Sequence, residues 1–224
     1  MSHKKGIVWY LLAGDEQAEP LRNLLQTITG ATVHLPGERN GEPGPVGIVP
    51  SALENLVDPR KEREKEDKRV KKIKRIQRYT NDWATLDSDR KVVVIFHNDG
   101  KDRKNLYEKL CKTLNNWLWG KKLIRRPNLV FLPCVPCGAV EAWLLASMES
   151  SKWKTGREKK SDDITDPKAR LKEVEGLRTE REFTQRRIEI SRGLKNTTRA
   201  KSHSRSFKAF CEKVDLVKEC KNPC

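Results

Sequence analysis

Apolar residues along this chain fall into two rhythms: unbroken runs rich in β-branched side chains, and single residues spaced three or four apart. The first reads as strand buried on both faces and the second as amphipathic helix. The clearest run is Val92-Val93-Val94-Ile95-Phe96 after Lys91, and it stops in the polar turn His97-Asn98-Asp99-Gly100. That is the signature of a central strand in a parallel sheet. Leu106, Leu110, Leu114 and Leu118, with Trp117 beside them, then share one face of a helix predicted over 105–119. Strand, acidic turn and helix make half of a βαβ unit. Ligands of open α/β sheets collect at the carboxyl ends of the strands, which is where His97, Asn98 and Asp99 stand.

The same rhythms place the other elements. Gly6 to Leu12 reads as the first strand, with Ala13-Gly14-Asp15 as its exit turn. A helix follows over 16–29, with Leu21, Leu24, Leu25 and Ile28 on one face, Glu16 and Glu19 near its positive end, and Gly30 closing it. Residues 31–35 suit a short second strand, and the Pro/Gly-rich stretch 36–50 a loop. Asn128 to Pro133 is another buried strand, Cys134-Val135-Pro136-Cys137-Gly138 its turn, and 139–146 an apolar helix with Glu141 as its one charge. Residues 151–166 are polar and read as loop. Asp166-Pro167 opens a helix through Leu171 and Val174, 183–190 suits another, and Phe207, Phe210, Val214 and Val217 mark the last. Between these last two, 196–206 is a Ser/Thr/Arg/Lys segment. The expected architecture is α/β: a mostly parallel, Rossmann-like sheet flanked by helices over 1–150, interrupted by a charged helical insertion at about 58–86. A basic helical appendage over 151–224 packs on it.

Charge adds a partner to this picture. The 224 residues include 47 Lys and Arg against 31 Asp and Glu, a net +16, and such an excess favours nucleic acid through counterion release at phosphates. The run 58–78 holds eleven basic and five acidic residues at helical spacing, and residues from 151 onward hold 21 basic and 12 acidic. Phosphate contacts are expected from Lys71, Lys72, Lys74, Arg75, Lys101, Arg103, Lys168, Arg199, Lys201 and Arg205. No apolar run is long enough to span a bilayer, and the apolar stretch after Lys5 is too short for a secretory core, so a cytoplasmic protein without membrane contact is expected. The six cysteines then read as reduced thiols. Cys134 and Cys137 form one CxxC with no second to complete a tetrahedral set, so zinc there is the weaker alternative.

A lone carboxylate in an apolar helix is costly to bury unless it meets a cation, a metal or a donor, or complements the dipole of the first turn. Both readings of Glu141 stand. The four histidines, His3, His34, His97 and His203, form no triad motif, and no P-loop is present, so any ATP hydrolysis belongs to a partner.

Taken together, the first-strand exit with its acidic residues, the strand ending in an acidic turn, and Pro136-Cys137-Gly138-Ala139-Val140-Glu141-Ala142-Trp143-Leu144-Leu145-Ala146 resemble Toprim-like proteins of prokaryotic defence loci, of the RloB and OLD-nuclease kind. Asp166-Pro167-Lys168 and Ser204-Arg205-Ser206-Phe207 also look like the tail of such proteins. The resemblance implies a Toprim-like fold and a metal-dependent nuclease of DNA or RNA, working with an ABC-type, OLD-like ATPase subunit in antiviral defence. Its carboxylates would hold Mg²⁺ or Mn²⁺. Carried onto this chain, the metal set is Asp99 and Glu141 with Asp15, Glu16 or Glu19, and the catalytic set is Asp99, Glu141, His97 and Glu16. The chain departs from the family pattern twice: Ala13 stands where the family has Glu, and His97-Asn98-Asp99 where it has Asp-x-Asp. The resemblance therefore leaves an alternative, a catalytically degenerate nucleic-acid-binding or regulatory subunit.

Overall fold

A computed structural model describes residues 6–13, 15–35, 90–97, 105, 108–112, 115, 129–155, 158–195 and 197–219. The loop expected over 36–50, the insertion at 58–86, and Asp99 with its turn lie outside the described residues, as do the side chains of Asp15 and Glu16. Among the described residues, four parallel strands form one sheet in the order β2-β1-β3-β4: β1 Ile7–Leu12, β2 Val33–His34, β3 Arg90–Phe96 and β4 Leu129–Cys134. The register sets Trp9 against both Val33 and Val92, and Val92 against Val130. The central run Val92 to Ile95 is fully enclosed, as strands covered by helices on both faces must be.

Helix α1 (Asp15–Thr29) follows β1, and Gly30 ends it with a φ of 70°, a left-handed conformation that glycine adopts without steric cost. Helical residues 105, 108–112 and 115 lie within the helix expected after β3. After β4 come α2 (Val140–Ser147), α3 (Ser150–Trp153), a 3₁₀ turn (Ser161–Asp163), α4 (Pro167–Val174), α5 (Glu180–Gly193), α6 (Thr198–His203) and α7 (Arg205–Lys218). Asp166 caps α4 through the amide of Ala169, and Pro167 fills its first turn. Thr179 and Glu182 form a capping box at α5.

One segment differs from its sequence reading, and another, read there as a composition without an element, is helical. Within the polar stretch 151–166, α3 runs to Trp153 and a 3₁₀ turn spans Ser161–Asp163, because Trp153 and Ser161 are wholly buried and Asp162 nearly so. Residues 198–203 are helical as α6, with Ala200 as their buried contact. Phe183, Phe207, Phe210, Val214 and Val217 share one apolar cluster with Trp9, Val92 and Leu132 of the sheet. The C-terminal helices therefore cover sheet surface that would otherwise meet water. At the other end of the sheet, the Arg90 guanidinium donates to the Val217 carbonyl at 2.8 Å, satisfying an acceptor in the last turn of α7.

Candidate functional site at the carboxyl edge of the sheet

Because all four strands run the same way, the ends of β1, β3 and β4 lie on one edge. The backbone amide of His97 donates to the Cys134 carbonyl at 3.1 Å, extending the ladder one residue past β3. Helix α2 starts from the same edge. Gly138, with φ 89°, makes the turn into it, a left-handed conformation that favours glycine, and a Cβ there would crowd the Pro167 ring at 3.2 Å.

Glu141, on the first turn of α2, is 1% exposed. Its Oε1 accepts from Arg187 Nη1 at 2.7 Å, and the same nitrogen lies 3.0 Å from Gln17 Oε1 on α1. The guanidinium carbon stands 5.0 Å from the Phe183 ring centre, a cation–π distance. The buried carboxylate has thus met a cation supplied by α5, one of the conditions that its burial requires. Around it, α1 and α5 share a polar seam. Asn23 donates to Ser191 at 3.0 Å, Thr27 to the Leu194 carbonyl at 3.1 Å, and Arg192 to Glu19 at 3.3 Å. Glu19 is more open than Glu141, its side chain 38% exposed, and its pairing is correspondingly weak. Among the described residues, no group of three or more His, Cys, Asp and Glu side chains is placed to hold one metal ion.

Of the expected phosphate contacts, Lys71, Lys72, Lys74, Arg75, Lys101 and Arg103 lie outside the described residues. Lys168 stands 3.5 Å from Glu180 and 5.3 Å from the Phe183 ring centre. Arg205 pairs with Asp163 at 2.5 Å. Arg199 is exposed on α6, and Lys201 is half-buried there.

Sequence reasoning did not single out Arg187, although Phe183, Arg187 and Ser191 recur at a spacing of four and form the buried stripe of α5. An arginine in the apolar register was the available signal. Nor did it find the buried network beside the β4–α2 turn. Asp162 accepts from Ser204 Oγ at 2.9 Å, from the amides of Arg205 and Ser206 at 2.5 and 3.0 Å, and from Ser206 Oγ at 2.7 Å. Trp143 Nε1 in turn donates to Ser206 Oγ at 2.8 Å. The carboxylate supplies acceptors to the first turn of α7 and locks that helix to α2.

The two CxxC thiols see different surroundings. Cys134 is enclosed, and burial first, with Cys211 beside it, pushes its thiol well above the ordinary range. Burial likewise pushes Cys211 up to about 12. Cys137 is half-buried, its thiol 3.8 Å from the Asp162 carbonyl. A cavity of about 40 Å³ beside β4, lined by Glu108, Pro133, Val135, Phe210 and Lys213, is of water size. No family model, no curated protein and no solved structure matches this chain.

Proposed function

We propose that this chain is a Toprim-like nucleic-acid-binding or regulatory subunit of a prokaryotic defence complex, working beside an ABC-type ATPase, with a sheet edge that no longer performs carboxylate–metal chemistry. The observation that carries this reading is the Glu141–Arg187 pair. A carboxylate enclosed at 1% exposure and bonded to a guanidinium at 2.7 Å has its charge already neutralised, and freeing it would strand a buried arginine. Two further positions agree: Ala13 and His97 stand where the Toprim pattern has acidic residues. The net charge of +16 supplies the attraction to phosphate. The defence setting and the ATPase partner rest on the resemblance alone.

A metal-dependent nuclease is the second reading, favoured by the fixed backbone of His97 at the edge, two residues before Asp99 in the sequence. In it, Asp99 with Asp15 or Glu16 would hold Mg²⁺ or Mn²⁺, which activates water and stabilises phosphoryl charge, and His97 would carry a proton. Incubating the protein with plasmid DNA and tRNA, with either metal or with chelator and with or without any ATPase encoded beside it, separates the two. The expected result is salt-sensitive binding without cutting. Metal-dependent cleavage that disappears in Asp99→Ala would overturn the proposal in favour of the nuclease.

A further inference from the structure

Outside the sheet edge, cationic groups from three separate segments converge on one surface. Lys154, directly after α3, holds its ammonium 5.5 Å from the Trp153 ring centre. His203, at the end of α6, packs edge-on against the same ring at 5.8 Å. Lys160, ahead of the 3₁₀ turn, donates from Nζ to the Ser202 carbonyl at 2.5 Å, next to His203. Arg199 precedes His203 by one helical turn on α6 and is exposed, as is Lys154. Among the described residues, none of Lys154, Lys160 and Arg199 makes an ion pair with a carboxylate. The nearby acids are engaged elsewhere: Asp163 with Arg205 and the Lys160 amide, Glu158 with the amide and hydroxyl of Thr155, and Asp162 with α7.

The positions of these groups are fixed. Asp162 and Ser204 tie the 3₁₀ turn to the start of α7, Ser161 donates to the His203 carbonyl at 3.3 Å, and Trp153 is wholly enclosed beneath. The surface is also joined to the carboxyl edge, since Cys137, in the turn after β4, donates through its amide to Ser206 of the same network at 3.3 Å.

We propose that Lys154, Lys160, Arg199 and His203 form a binding surface for the phosphodiester backbone of a nucleic acid, guiding the strand along the flank of the carboxyl edge. This rests on the nucleic-acid-binding reading above and adds the place and manner of contact. Trp153 is 0% exposed and offers no face on which a base could stack, so the contact is to phosphate and indifferent to sequence. The surroundings of His203 agree. Its own burial first, then the fields of Lys154, Lys160 and Arg199, hold its imidazole below the ordinary range. A bound phosphate relieves that repulsion.

The test uses the full chain and a fluorescein-labelled oligonucleotide as single-stranded DNA, duplex DNA and RNA, titrated by anisotropy across a salt series. The double variant Lys154→Glu, Arg199→Glu alters only exposed side chains, and Arg178→Glu, Arg181→Glu is its charge-matched control on other exposed positions. The proposal expects the first variant to lose about tenfold in affinity, with a salt dependence shallower by roughly the release at two phosphates, and the control to bind nearly as the wild type does. It also expects the His203 imidazole resonances of the wild type to shift toward the protonated form when oligonucleotide is added. Equal loss in both variants, or in neither, with wild-type binding intact, overturns this surface and leaves the binding function standing. A wild type that binds no oligonucleotide at low salt overturns both. Polyglutamate bound as tightly as the oligonucleotide overturns the phosphodiester assignment in favour of an acidic protein partner.

Discussion

Arg187 joins a salt bridge to Glu141, a hydrogen bond to Gln17 and a face on Phe183. Removing one partner of a buried pair costs far more than the pair contributes net, because the survivor keeps its charge without water. Arg187→Ala is therefore expected to destabilise the protein by about 3–5 kcal/mol, while the apolar double replacement Glu141→Leu, Arg187→Met costs much less. Urea unfolding of the three proteins measures this. Equal loss in single and double variants would show that the pair acts through packing instead of charge. The sequence marked Glu141 as a carboxylate that is costly to bury without a cation, a metal, a donor or a helix dipole, and left open which of these it meets. It could not name the partner, because residues 141 and 187 meet only once α5 lies against α1 and α2.

At the scale of elements, β4 ends the strand order among the described residues, and an edge strand exposes backbone groups that must be satisfied or shielded. Asn115, on the helix that follows β3, supplies a rung. Its Nδ2 donates to the Phe131 carbonyl at 3.0 Å and its Oδ1 accepts from the Phe131 amide at 2.8 Å. Asn115→Ala is expected to cost about 1–3 kcal/mol, the penalty for leaving buried backbone groups unmet. Hydrogen exchange at the Phe131 amide should rise with it, and an unchanged exchange rate would argue that the rung is dispensable. Helix α7 shows the same economy, with Ser204 as cap and Asp162 as a second acceptor for its first turn. The apolar spacing of α7 was legible in Phe207, Phe210, Val214 and Val217. The acceptor from the 3₁₀ turn was not, since nothing in a polar stretch such as 151–166 marks which aspartate will be buried.

Across the whole molecule, charge is distributed so that His203 titrates against it. Because its folded imidazole sits below the ordinary value of about 6.5, held there by burial and by Lys154, Lys160 and Arg199, the unfolded chain binds the proton first as pH falls. The stability His203 contributes is complete above about pH 6.5 and is lost as pH drops toward its folded value. His203→Gln is expected to flatten the fall in stability as pH drops below about 6.5, read from thermal unfolding over a pH series. A wild-type slope that matches the variant would place His203 in open water. The sequence by itself determined the parallel α/β arrangement and most helices, because unbroken apolar runs and spacings of three and four are local properties of the chain. Net charge was equally legible. Only the tertiary structure decided that Glu141 is paired with Arg187, that Asp162 is buried under α7, and that Lys154, Lys160, Arg199 and His203 share one surface. Each of these joins residues far apart in the chain, and the energy of such contacts depends on distance and burial, which spacing along a sequence does not encode.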